Sequence, residues 1–265
     1  DHRDLHSFPT RRSSDLLQRI VREVLNQPDA TLAQTMTRLV MEQQLDAGSD
    51  LFARWIQSTN QPSSIRSQAL RLLAKRSAVE LPSALQTALE STEPDLRRTA
   101  LSVLAETDPQ GFLEFAETRL NTLSLPEQQT AIALLGATGA PPAVRLLTQM
   151  LQDLLSGKLP PELRLDVLEA ARRQPTSLHR VLLGAYESRL SASDPLARYR
   201  PALSGGNAAT GREVFRNHVN AQCVRCHEAG GEGHQAGPVL AGIGKRVTPE
   251  YLLEALVDPS ARLAE

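Results

Sequence analysis

From Leu17 to about Arg200, apolar residues recur at three- and four-residue spacing, and no stretch alternates apolar with polar. The first pattern lines one face of a helix; the second would line one face of a strand. The expectation is helix throughout this region, broken where Pro or Gly punctuates. Internal similarity sharpens it. Ile65 to Ala74 (IRSQALRLLA) aligns with Leu96 to Ala105 (LRRTALSVLA) at an offset of 31. A further 31 residues on comes Gln128 to Leu135 (QQTAIALL), and 36 beyond that comes Arg164 to Ala171 (RLDVLEAA). This is the period of a helix pair. Each unit follows a Pro-containing turn at Pro62, Pro94, Pro126 or Pro161, where a fixed φ and a missing N–H suit the first helical turn. Small Ala69, Ala100 and Ala131 recur at one position, which allows close helix approach, while neighbouring Leu and Ile fill the seam.

That pattern resembles HEAT-type repeats, most clearly over Ser63 to Leu190, with Leu17 to Gln61 as a degenerate or capping repeat. The bland alternative is an irregular helical domain. On either reading the Leu/Ala stripes are core, Met36, Met41 and Met150 are packing residues, and Trp55 is a packed aromatic. Composition agrees with an all-α fold: 41% of residues are hydrophobic, enough for a sizeable core, but only 3% are aromatic, and the apolar content is carried by Leu, Ala and Val. The net charge of −1, with both signs interspersed, favours neither nucleic acid nor an anionic membrane as partner. No run approaches the roughly 20 apolar residues that span a bilayer.

Two segments stand apart from the repeats. Asp1 to Leu16 (DHRDLHSFPTRRSSDL) reads as a translated sequencing adapter rather than as protein, which removes His2 and His6 from the possible ligands. At the other end, Pro201 to Asn207 (PALSGGN) is a breaker cluster, and nine of the 15 glycines lie between Gly205 and Gly244. The expected organisation is therefore residues 1–16 as an artefact, 17–200 as helical repeats, and 201–265 as a second domain, incomplete at its C-terminal end.

The chemistry sits in that second domain. Cys223-Val224-Arg225-Cys226-His227 is a C-x-x-C-H pattern and contains the only two cysteines. Two thiols about one helical turn apart can add across two haem vinyl groups, and the adjacent His places an imidazole under the iron. Haem c is the expected cofactor, with His227 as axial ligand and Cys223 and Cys226 as the covalent attachments. The competing readings are a Cys2His2 zinc site completed by His234, although zinc knuckles usually separate their pairs by a longer loop, and a thioredoxin-like pair, which needs a β-α-β context absent here.

Flanking residues extend the reading. Gly211-Arg212-Glu213-Val214-Phe215 opens a short helix twelve residues before Cys223, Gly237-Pro238-Val239-Leu240 follows the motif, and Thr248 to Leu256 is an amphipathic helix with Thr as N-cap and Pro first. Together with the repeats, G-P-x-L-x-G-I-G-x-R and Y-L-L-E-A-L-x-D-P-S resemble the haem-binding cytochrome c domain of large multidomain proteins of planctomycetes and verrucomicrobia, over roughly Ala209 to Glu265. The resemblance implies that the Gly-x-x-x-Phe helix packs against a C-terminal helix, that Pro238 lies beside the proximal His, and that Leu240 contacts the porphyrin. It also implies HEAT-like repeats before the cytochrome and, often, a sugar-dehydrogenase-like propeller further upstream.

The function expected is one-electron transfer through one covalent haem, with the repeats docking a redox partner protein or a linked dehydrogenase domain. On that reading the segment is a carrier rather than an enzyme. The alternatives are the electron-accepting tail of a larger dehydrogenase and a repeat scaffold with a zinc-binding C-x-x-C-H. Haem attachment to cysteine takes place outside the cytoplasm, which implies a periplasmic or other extracytoplasmic location. Among the remaining polar residues, His179 reads as an ordinary helix residue, His218 as exposed or near a haem edge, and Arg225 and Arg246 as surface charges or propionate partners. The sixth ligand is unassigned. Every methionine precedes Pro201, a distal Met is expected beyond the present sequence, and His234 is the one candidate within it.

Overall fold

The structure, a computed structural model, describes residues 48–261 throughout, without the side chain of residue 209, together with 16, 19–21, 23, 35, 36 and 38–40. The adapter reading of Asp1 to Leu16, apart from Leu16 itself, falls outside the described residues, as do His2, His6, Met41, about half of the first repeat expected over Leu17 to Gln61 and the final residues 262–265. The fold is all-α. The chain divides into two compact units between Thr118 and Arg119.

In the first unit, α1 (Ser49–Gln57), α2 (Ser63–Lys75), α3 (Leu81–Leu89) and α4 (Pro94–Thr107) pack on one another, and α5 (Pro109–Arg119) follows. Prolines act as the sequence predicts: Pro62 caps α2 and Pro94 is the first residue of α4. Ala69 and Ala100, one repeat apart, are fully buried where α2 meets α4, and a larger side chain at either would force the helices apart. Phe52, Ile56, Leu70, Leu73 and Leu96 fill the core, with Trp55 edge-on to Phe52 at 5.6 Å. Arg66 is buried too, and its guanidinium donates twice to the Ile56 carbonyl, at 2.9 and 2.8 Å. That carbonyl belongs to the last turn of α1, which has no intrahelical partner for it. Met36 is partly buried against the same core.

The second unit repeats the scheme with α6 (Leu125–Ala137), α7 (Pro141–Leu155), α8 (Arg164–Arg173) and α9 (Ser177–Glu187). The Glu127 carboxylate accepts the Ser124 N–H at 2.9 Å and closes the start of α6. Ala131 and Val167 hold the recurring position and are buried. α6 approaches α8 so closely that a Cβ on Gly136 would lie 2.7 Å from both Cα and Cβ of Ala170. His179 departs from the expectation of an ordinary polar residue. It is fully buried, with Nδ1 donating to the Gln174 carbonyl at 2.8 Å and Nε2 3.1 Å from Thr148 Oγ1. The Pro175-Thr176 turn causes this: Thr176 caps α9 by accepting the His179 N–H at 3.1 Å, which points the first turn of α9 into α7.

The segment from Arg200 onward belongs to this unit. Pro201 is buried, and Gly205 seats against the turn before α8, where a Cβ would lie 2.9 Å from the Glu162 carbonyl oxygen. Gln129 of α6 donates to the Glu162 and Gly206 carbonyls at 3.3 and 3.4 Å. The glycines of the breaker cluster thus make a fitted junction. Beyond it come α10 (Ala208–Asn217), a two-residue antiparallel pair of β1 (Glu228–Ala229) and β2 (Glu232–Gly233), and α11 (Pro249–Val257), which packs on the turn Arg200–Leu203. Thr248 caps α11 by accepting the Tyr251 N–H at 3.2 Å. Among the described residues no helix is long and apolar enough to cross a membrane.

Candidate haem-attachment site

Cys223 to Arg225 form a single 3-10 turn, and the Cys223 carbonyl accepts both the Cys226 N–H at 3.2 Å and the His227 N–H at 3.0 Å. Both thiols are free, Cys223 half-buried and Cys226 exposed. The motif is therefore one tight turn with neither sulfur in a disulfide. Gln222, just before it, is left-handed at φ 47°, and its side-chain carbonyl accepts from Arg225 at 2.6 Å.

The glycine-rich stretch folds back over the motif. His234 N–H donates to the Val224 carbonyl at 3.0 Å, Gly237 N–H to the Cys226 carbonyl at 2.6 Å, and Leu240 N–H to the Glu228 carbonyl at 2.8 Å. Gly233, at φ 100°, passes directly against the His227 carbonyl, where no side chain fits. Arg246 keeps the far end of the loop in place by donating to the Val239 carbonyl at 2.8 Å, and Arg216 of α10 pairs with Glu232 of β2. The two arginines read as possible propionate partners, Arg225 and Arg246, are thus both engaged within the chain.

The fold brings His227 and Pro238 together: His227 Nδ1 lies 2.8 Å from the Pro238 carbonyl oxygen. A carbonyl can only accept, so Nδ1 carries a proton, and in the neutral ring Nε2 then keeps the lone pair. A metal-binding imidazole is oriented in this way, with its second nitrogen donating to a backbone oxygen and its basicity raised by doing so. Leu240 is half-buried nearby in sequence and His234 is exposed.

The residues present fit a haem. Among the described side chains from Ser204 to Ala261 none is buried, and Val214, Val219, Val239 and Leu256 stand exposed at 45%, 79%, 37% and 82%. So short a segment cannot build a core from its own side chains. A flat apolar macrocycle held by the two thiols and the imidazole would supply a surface for these residues to pack on. Among the described residues no three His, Cys, Asp or Glu side chains converge to hold a metal ion unaided, whereas a porphyrin already brings four nitrogens to its iron.

Sequence reasoning missed the part of His218, whose ring bonds the turn ahead of Cys223, and the close approaches at Gly233 and Gly237. The density of glycines between Gly230 and Gly244 was the available signal for the latter. No curated protein and no solved structure matches the chain. Residues 208–263 match the family model Cytochrome c, so this segment is a cytochrome c haem-binding domain, and its cofactor is covalently bound haem c.

Proposed function

We propose that the chain transfers single electrons through one haem c, held by thioethers from Cys223 and Cys226 with His227 Nε2 on the iron, and that its helical repeats dock the redox partner. The observation that carries this reading is the 2.8 Å bond from His227 Nδ1 to the Pro238 carbonyl, which supports Nε2 as the nitrogen for the iron. When bound, the haem supplies a one-electron iron couple whose potential depends on its axial ligands.

The chain's own residues do the rest. The 3-10 turn at Cys223 fixes the spacing of the thiols, Pro238 orients the imidazole, and Gly233 and Gly237 let the loop close around it. No bond of a substrate is broken in this arrangement, and the protein's task is to bind, orient and shield. The exposed apolar residues of α9, Leu178 at 47% and Val181 at 66%, support docking on the repeats. The 31-residue period supports a HEAT-like architecture over 17–200, followed by the cytochrome over 201–265, as in the planctomycete and verrucomicrobial proteins it resembles. Cytochrome c domains are typically extracytoplasmic, and the periplasm is the compartment that suits this one.

Expression with an export signal and the haem-maturation machinery tests the reading. A denaturing gel should retain haem stain on the wild-type band and lose it in the Cys223→Ser, Cys226→Ser double variant. Zinc without haem in the purified wild-type protein would overturn it in favour of a zinc-binding scaffold.

A further inference from the structure

We infer that His218 is a positioning residue for covalent attachment: its ring braces the turn that delivers the Cys223 thiol. The inference rests on Cys223 and Cys226 being the attachment thiols. α10 ends at Asn217, and six residues later the chain must enter the turn that opens at Cys223. The intervening Val219-Asn220-Ala221-Gln222 contains neither Gly nor Pro, so of the residues that favour a reversal it has only Asn220. Val219 is 79% exposed and has little packing to anchor it, while Gln222 takes the left-handed conformation that side chains disfavour. Such a turn has to be held from outside itself.

His218 holds it. Its Nδ1 accepts the Ala221 N–H at 3.1 Å and the Asn220 N–H at 3.3 Å. Its carbonyl accepts the Gln222 N–H at 3.0 Å. Three consecutive amide groups converge on one residue, and the ring plays the part an Asn or Asp side chain plays when it accepts from two and three residues ahead. Accepting at Nδ1 fixes the tautomer with its proton on Nε2.

The two thiols are anchored differently. Cys226 is tied from beyond the motif, since its carbonyl accepts the Gly237 N–H at 2.6 Å, whereas the Cys223 carbonyl is bonded only within the motif, by the Cys226 and His227 N–H groups. Cys223 begins the turn, and its approach is set by the segment that His218 braces. In attachment each thiol adds S–H across a vinyl C=C: sulfur bonds to the carbon next to the ring, and hydrogen goes to the terminal carbon. Nothing leaves, and no oxidant or reductant is consumed. Misplacing the Cys223 backbone therefore slows one addition and spares the other.

Mapping the thioethers by mass spectrometry of haem peptides, after expression with the maturation machinery, tests this. Wild type should carry two thioethers. His218→Ala, which removes two acceptor bonds, should raise the fraction holding haem through Cys226 alone by about tenfold. His218→Asn should restore the double attachment, because its side-chain carbonyl accepts from the same amide groups. Undiminished double attachment in His218→Ala, equal loss at both cysteines, or an Asn variant no better than the Ala variant would overturn the brace. Wild type without covalent haem would instead overturn the attachment reading, and the brace with it.

Discussion

Gly237 stands so close to His227 that a methyl group added to it would lie 2.9 Å from the ring's Cε1 and 3.1 Å from Nδ1. Those atoms flank the bond to the Pro238 carbonyl, and the Gly237 amide is itself tied to Cys226. Gly237→Ala must therefore rotate the imidazole or lift the loop, at about 1–3 kcal/mol. We expect a lower thermal midpoint for the haem-loaded protein and an altered iron spectrum. Gly244→Ala, with open space around its Cβ, should leave both unchanged.

His179 connects three helices without approaching the haem motif in sequence. Truncating it to Ala opens a cavity, strands the Thr148 hydroxyl, and leaves the Gln174 carbonyl with only the Thr176 N–H at 2.8 Å. The expected loss is about 2–4 kcal/mol. Urea unfolding should show it, while the ratio of thioethers at Cys223 and Cys226 stays at the wild-type value.

The recurring alanines make the repeat period testable by overpacking. Ala100 is fully buried in the seam of α2 and α4, and Ala100→Leu should cost about 1–3 kcal/mol in urea unfolding. Ser102→Ala, two residues on along the same helix and only half-buried, should change stability by less than about 0.5 kcal/mol.

The helices and their starts were legible because Pro, Thr and apolar spacing act locally: Pro62, Pro94 and Thr248 mark helix starts where the sequence predicts them. The C-x-x-C-H motif was legible because its chemistry dictates its spacing. What stayed hidden depends on contacts distant in sequence. Gln129 reaching Gly206, the burial of His179, and the division between Thr118 and Arg119 leave no periodic trace. His218 was hidden for a different reason: a ring that accepts from the backbone looks the same in sequence as one that is solvated.

Asp166 of α8 gives the protein a pH dependence of known sign. Burial raises its carboxyl above the ordinary value of 3.8, opposed by a backbone hydrogen bond and one from Gln129, and reinforced by Glu169. One oxygen is buried without a hydrogen-bond partner. A carboxyl raised in the folded state favours folding below its unfolded value, and that contribution is lost as pH rises through the folded value. At neutral pH the charged form is thus a liability, and Asp166→Asn should raise the urea midpoint at pH 7. The gain should shrink on acidification and vanish below about 3.8. An Asn variant less stable than wild type at pH 7 would show that the Gln129 bond outweighs burial.

On the proposed attachment through His227, reach decides whether His234 could be a second iron ligand. All three methionines, at 36, 41 and 150, precede the haem segment, and His234 is the nearest imidazole after the motif. Its backbone N–H is bonded to the Val224 carbonyl inside the C-x-x-C-H turn, which fixes the backbone of residue 234 against that turn. Should His227 hold the iron, a side chain anchored there by its own backbone would have little slack to bind it as well. The present chain should therefore hold iron with an exchangeable sixth position, and its reduced form should bind carbon monoxide with a clear shift of the Soret band. His234→Ala should leave both the resting spectrum and the carbon monoxide complex as they are. A wild-type protein that is low-spin and refuses carbon monoxide, and that becomes high-spin and carbon monoxide-binding in His234→Ala, would identify His234 as the distal ligand and show that the loop from Gly233 opens far enough to carry it across.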